Sequence, residues 1–204
     1  EINTVKRRLK IIDKIIRAVK GSGTFAIGGH MRPDGDCIGS QLAMGFALKN
    51  LGKKVTVFSQ DEMPEKLAFL DPKKIITGPR KIRHYDCVLV TDCASYERMG
   101  TICDSVSRRD LLINIDHHSS NSRYGDLNWV DPKSASSGEL VFQLLKQANW
   151  PITPQIADCL FTAISTDTGS FQYATTRPST YTAAAELVQR GANISRICDE
   201  VYQS

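Results

Sequence analysis

Apolar residues at Val5, Leu9, Ile12, Ile16 and Val19 recur in steps of four, three, four and three, the spacing of one helical face. Gly21-Ser22-Gly23 closes that pattern. The short apolar run Thr24-Phe25-Ala26-Ile27-Gly28 then predicts a buried strand. Residues 39–51 read as a helix, with Ile38, Leu42 and Phe46 on one face and Gly52 as the stop. Residues 54–58 form the next strand, and Ile75-Ile76 is a further candidate. Residues 87–91 and 111–115 are mostly apolar throughout, as strands are when both faces of a parallel sheet are covered. Beyond residue 137 the pattern turns helical over 138–148, 154–166, 178–190 and 194–202, after a linker of small residues at 131–137. Strands alternating with helices imply an α/β fold: a doubly wound, mostly parallel sheet flanked by helices, with a helical C-terminal part.

Composition narrows the class. Hydrophobic residues make up 41% and charged residues 24% of 204 positions, which is ordinary for a globular protein. No apolar run approaches the ~20 residues that span a bilayer, so no membrane partner is expected. The opening Lys6-Arg7-Arg8-Leu9-Lys10 is charged and does not resemble a signal peptide. Six cysteines without a CxxC pair fit a reduced, cytoplasmic protein. The net charge of +4 tolerates a phosphorylated substrate without arguing for duplex DNA.

Four polar clusters punctuate the apolar runs. His30-Met31-Arg32-Pro33-Asp34-Gly35-Asp36 follows the first strand, Asp92 follows Thr91, and Asp116-His117-His118 follows Ile115. Asp167 follows the apolar stretch 159–164. Open α/β sheets bind ligands beyond the carboxyl ends of their strands, so parallel strands would carry the first three clusters to one edge. Carboxylates with some imidazole suit Mn²⁺ or Mg²⁺ better than the thiolate-rich sites that select zinc. Taken singly, Asp36 or Asp167 could be a helix cap or turn former. A His-x₃-Asp-x-Asp segment is harder to explain that way. Pro33 and Gly35 favour a tight turn, and that turn gathers two negative charges that repel without a cation. Asp92 is a candidate bridge between two metals, which sit ~3.5–4 Å apart in two-metal sites. On an extended segment His117 and His118 point to opposite sides, so one can ligate metal while the other faces substrate. Asp116 can orient an imidazole. His84 has no acidic partner of matching spacing and reads as a surface residue. Arg98, Ser136, Ser137 and Arg177 are candidate phosphate contacts. No G-x-G-x-x-G turn follows the first strand, which sets aside a generic dinucleotide-binding sheet.

In order, these clusters resemble the four motifs of the DHH phosphoesterase superfamily. The detail lies in Pro33-Asp34-Gly35-Asp36-Cys37-Ile38-Gly39-Ser40-Gln41, Asn114-Ile115-Asp116-His117-His118-Ser119-Ser120-Asn121, Tyr124-Gly125-Asp126-Leu127-Asn128-Trp129-Val130-Asp131 and Thr166-Asp167-Thr168-Gly169-Ser170-Phe171. These strings are most similar to the oligoribonuclease/3′-phosphoadenosine-5′-phosphate (pAp) phosphatase branch, the NrnA type. The resemblance implies two Mn²⁺ ions, with Mg²⁺ or Co²⁺ as substitutes. His30, Asp34 and Asp92 would hold one, and Asp36, Asp92, His117 and Asp167 the other. It implies catalytic roles for Asp92, for His118 at the scissile phosphate and for Asp116 behind it, with substrate contacts from His118, Arg98 and Ser137. The implied substrates are a nucleotide such as pAp or very short single-stranded RNA, and a homodimer is the candidate assembly. Residues 1–204 would form the DHH catalytic domain; the Gly-Gly-Gly-His-type loop of the family's C-terminal substrate-binding domain does not occur in this sequence. Three alternatives stay open: hydrolysis of pApA or cyclic dinucleotides, a pyrophosphatase, and a non-catalytic nucleotide-binding module.

Overall fold

The computed structural model describes residues 2–203, with side chains from residue 8 onward, so Val5 of the opening stripe lies outside the described side chains. The chain runs α1 (Ile2–Gly21), β1 (Thr24–Gly28), α2 (Gly35–Asn50), β2 (Lys54–Phe58), β3 (Ile76–Thr77), β4 (His84–Thr91), α3 (Ile102–Ser105), β5 (Arg108–Asp116), β6 (Leu127–Val130), α4 (Ser137–Gln147), α5 (Pro154–Asp167), α6 (Pro178–Gln189) and α7 (Ile194–Cys198). Short 3₁₀ turns at Glu65–Leu70 and Tyr96–Met99 and a π-turn at Asp199–Gln203 complete it.

The six strands form one sheet in the order β3-β2-β1-β4-β5-β6, and every pairing is parallel. Alternation along the strands explains why they read as apolar runs. Phe25, Ile27, Cys87, Leu89, Ile113 and Ile115 point into a large core beneath α2, α4 and α5. Ala26, Val88, Val90 and Leu112 point the other way, into a smaller core with Met99, Ile102 and Val106. Both faces are therefore covered, and the period-two pattern is apolar on each. Removing such side chains from water stabilises the sheet by about 1.5–3 kcal/mol each.

The order reverses between β1 and β4. From β1 the chain winds outward to β2 and β3, then returns to build β4, β5 and β6 on the other side. The crevice between the carboxyl ends of β1 and β4 is the topological switch point, where this architecture places its ligands.

Helix α2 begins at Gly35, four residues before the expected start at 39. Gly35 and Gly39 are poor helix formers, but Asp34 caps the helix, its side chain accepting from Cys37 N at 3.0 Å. The first cluster is therefore a helix N-terminus rather than a separate tight turn. Asp34, not Asp36, is the cap. Glycine at 39 and 138 is required by close approach. A Cβ at Gly39 would collide with the Cys159 carbonyl and lie 2.9 Å from Ala163 Cβ; one at Gly138 would lie 2.5 Å from the same Ala163 atom. Helices α2, α4 and α5 thus meet around Ala163, and their termini converge beside the switch point. Strands β4 and β5 each start three residues earlier than expected, and β6 was not anticipated. The helix expected over 194–202 is α7 followed by the π-turn.

Candidate metal centre

Each element delivers its chemical group at the sheet edge. His30 follows β1 and is buried, Nδ1 lying 2.8 Å from Met31 O, which leaves Nε2 facing the crevice. Nε2 lies 3.4 Å from Asp92 Oδ2 and 3.7 Å from Asp34 Oδ2. Asp92 follows β4 with φ 54°, a left-handed conformation that Asp adopts more readily than most residues. Its N–H still donates to Ile115 O at 3.0 Å, so the turned backbone is fixed to β5 while the carboxylate points into the crevice. His117 Nε2 lies 3.2 Å from Asp167 Oδ2, 3.6 Å from Asp92 Oδ1 and 3.8 Å from Asp36 Oδ2.

The two oxygens of Asp92 therefore serve two different groups. Oδ2 faces His30, whose Nε2 also faces Asp34; Oδ1 faces His117 and, at 3.6 Å, His118 Nδ1. Ser137 Oγ also donates to Oδ1 at 3.1 Å. Ligand atoms of Asp36, His117 and Asp167 lie within 4.8 Å of one another, as do those of Asp92, His117 and His118. All six residues expected as metal ligands come together.

Asp36 is buried and accepts from Ser137 N at 2.7 Å, Gly138 N at 2.8 Å and Ser40 Oγ at 3.1 Å. The N-terminus of α4 thus braces it. Even so, burial and the charges of Asp92 and Asp167 push its carboxyl well above the usual range. Asp167, the last residue of α5, is raised to about 6 chiefly by burial, with the Asp92 and Asp34 charges adding to it against the opposing pull of His117 and His118. A carboxylate at a helix C-terminus also faces the negative end of the macrodipole. For His30, burial disfavours the charged form, yet the Asp34 and Asp92 carboxylates outweigh it and raise the imidazole well above its ordinary value. Protons held at these groups offset the repulsion among the carboxylates, and a divalent ion placed there would do the same.

This has a sign that can be measured. The Asp167 pKa, raised from 3.8 to about 6, gives stability that is complete below 3.8 and lost as pH rises through about 6. Asp36, raised in the same direction, adds to that loss; His30 stays charged across that window, and Asp34 and Asp116, both lowered, change only below it. Metal-free protein should lose on the order of 2 kcal/mol between about pH 4 and pH 7. Thermal melting in chelator would show this, and Mn²⁺ should restore the loss at neutral pH. A flat profile contradicts the crowding of carboxylates.

His118 is 36% exposed, and its Nδ1 lies 2.8 Å from Asp116 Oδ1. This hydrogen bond raises the imidazole against the opposing effect of burial. Burial tends to raise Asp116, but His118 and Asn121 hold its carboxyl below the usual range. The two imidazoles do not point to opposite sides: their ring centres are 4.7 Å apart. The chain leaves β5 at Asp116, so His117 and His118 lie past the strand end, and strand alternation no longer governs them. They still divide their contacts, His117 among Asp36, Asp92 and Asp167, His118 on Asp116 and Asp92.

Asn121, not singled out in the sequence, donates from Nδ2 to Asp116 Oδ2 at 2.6 Å and to Asn114 Oδ1 at 2.7 Å. Its signal was available: Asn114 and Asp116 share one face of β5 by strand alternation, and a polar residue on a buried strand needs a partner. Ser137 is fully buried against Asp92 and Asp36. Arg98 is exposed on the Tyr96–Met99 turn, whose Arg98 O accepts from Met31 N at 2.7 Å beside the first cluster. Ser136 caps α4 and Arg177 caps α6. His84 is a surface residue, as expected, but it has an acidic partner, Asp110 Oδ1 at 2.8 Å on the neighbouring strand.

A family model described as the DHH family, N-terminal domain, matches residues 24–164. The chain belongs to the DHH family. It is 33% identical over 195 residues to the bifunctional oligoribonuclease and PAP phosphatase NrnA of Thermus thermophilus, covering 95% of this chain and 58% of that protein. It is 27% identical over 194 residues to the NrnA protein of Bacillus subtilis, covering 94% and 61%. A solved exopolyphosphatase-related protein from Bacteroides fragilis superposes with a TM-score of 0.89 at 26% identity, covering 96% of this chain and 61% of that one. A putative family II inorganic pyrophosphatase from Methanococcus jannaschii shares the fold, with a TM-score of 0.67 at 19% identity over 88% and 60%. The chain spans about 60% of the length of these DHH relatives. No helix among the described residues is long and apolar enough to cross a membrane.

Proposed function

We propose that these 204 residues are the catalytic domain of a Mn²⁺-dependent phosphoesterase that hydrolyses pAp and very short oligoribonucleotides. The observation that carries the reading is Asp92, whose two oxygens face two separate ligand groups, the arrangement a bridging carboxylate needs. His30, Asp34 and Asp92 would hold one cation, and Asp36, Asp92, His117 and Asp167 the other. Oxygen-rich donors with imidazole fit Mn²⁺, with Mg²⁺ as a substitute. A bound pair supplies an activated water and neutralises charge on the phosphoryl group. The sequence similarity to the NrnA proteins supports this choice of substrates.

The chain's own residues do the rest. Asp116 holds Nδ1 of His118, which leaves Nε2 for a phosphoryl oxygen, and the raised imidazole pKa favours the cationic donor. Asn121 fixes Asp116 in turn. Arg98 stands at the rim for a further phosphate contact, and Ser137 steadies the bridging carboxylate. The six unpaired cysteines suit a cytoplasmic setting.

Asn121→Ala should lower turnover roughly 10–100-fold by loosening Asp116 and His118. Steady-state phosphate release would show it, and a wild-type rate would remove Asn121 from the network. The reading itself is tested by phosphate release from pAp, pApA, a short RNA and pyrophosphate, with Mn²⁺ and with chelator. The expected result is metal-dependent release, fastest from pAp and short RNA. Preference for pyrophosphate, or nucleotide binding without release, overturns it.

A further inference from the structure

The mechanism leaves the buried thiol of Cys37 unused. Cys37 is the third residue of α2 and is fully buried. Its Sγ, a ligand nitrogen of His30 and a carboxylate oxygen of Asp92 all lie within 4.8 Å of one another. The cysteine is not alone in a hydrophobic wall. It sits against the two innermost residues assigned to the first cation.

The sulfur is held between the His30 imidazole and the Gln41 side chain. Its contact with His30 O is long, 3.9 Å, and the Gln41 carboxamide lies 3.0 Å away. The backbone is anchored separately, Cys37 N donating to Asp34 Oδ1 at 3.0 Å. Asp34, 59% exposed, approaches His30 from the solvent side. The first position therefore has four protein donors: an imidazole, two carboxylates and, on the buried side, a thiol.

We propose that Cys37 is a reserve ligand that thiophilic cations such as Zn²⁺ or Cd²⁺ take up and that Mn²⁺ or Mg²⁺ leave unbound. This rests on the reading that His30, Asp34 and Asp92 hold a cation. Hard ions favour oxygen, nitrogen and water, whereas soft ions gain most from sulfur. A tetrahedral shell with Zn–S near 2.3 Å and Zn–N near 2.0–2.1 Å needs donors roughly 3.5 Å apart, which small side-chain movements reach. As the metal–sulfur bond forms, the thiol proton passes to solvent. Four protein donors then close the shell and leave no open position for water or substrate. The identity of the cation thereby sets an active and a silent state of one site.

Cobalt(II) tests this without relying on turnover. Metal-free protein titrated with Co²⁺ should develop visible d–d absorption together with sulfur-to-cobalt charge transfer in the near ultraviolet. Cys37→Ala should keep the visible bands and lose the charge transfer. It should also bind Cd²⁺ at least about tenfold more weakly while its Mn²⁺ affinity stays unchanged. Unchanged Mn²⁺ binding also shows that the variant is folded; Cys37→Ser serves as the second variant. Visible bands without charge transfer in the wild-type protein, or charge transfer that survives in Cys37→Ala, overturns the role of Cys37 and leaves the metal centre standing. Failure of Co²⁺ to bind at all overturns both.

Discussion

Asp92→Asn is expected to give a folded protein whose phosphate release falls on the order of 10³-fold or more. Asparagine is the substitute of choice because it tolerates the left-handed backbone at φ 54° and keeps the side-chain volume. The amide can still accept from Ser137 Oγ, which donates to Asp92 at 3.1 Å. It cannot bridge, since only one oxygen remains and the charge is gone. Loss should therefore appear at both cation positions, unlike substitutions at the periphery. Asp34→Asn should weaken one site and spare the other, because Asp34 faces His30 alone among the imidazoles. Metal titration read alongside phosphate release distinguishes the two variants. Equal, partial defects in both would mean that Asp92 is one ligand among several and not the shared one.

Gly39→Ala should damage the site without touching it. The new methyl would strike the Cys159 carbonyl and Ala163, both on α5. Neither is the flexible end of a side chain, so α2 and α5 must separate. Overpacking of this kind costs about 1–3 kcal/mol. The same displacement pulls Asp36 on α2 away from Asp167 on α5, and both lie near His117 Nε2. The expected outcome is a lower melting temperature together with weaker metal binding, the second cation position suffering more than the first. His30, Asp34 and Asp92 do not span that helix pair. A variant with a lowered melting temperature but unchanged metal affinity would show that the centre does not depend on this contact.

The sheet was legible because both faces are buried. Strand β1 and the carboxyl-terminal parts of β4 and β5 carry mostly apolar residues at successive positions, whereas the polar starts of β4 and β5 were not legible. Strand β6 was missed because Leu127-Asn128-Trp129-Val130 is short, lies at an edge and includes an asparagine. Its register with β5 comes from pairing, which local pattern does not encode. The early start of α2 was hidden by glycines whose purpose is contact with α5 and Thr166, residues more than a hundred positions away. For the site, strand-end position carried most of the information. His30, Asp92 and Asp116 end neighbouring parallel strands, so their convergence follows from topology. What stayed hidden was orientation. Whether His117 and His118 diverge depends on where β5 ends, and whether Asn121 reaches Asp116 depends on the loop that follows.

The most direct measurement is the anomalous scattering of a crystal of this protein grown or soaked in manganese. Two peaks roughly 3.5–4 Å apart, with one Asp92 oxygen on each, are the predicted result. A single peak, or two peaks with Asp92 bound to only one of them, would contradict the bridging role on which the proposed hydrolysis rests.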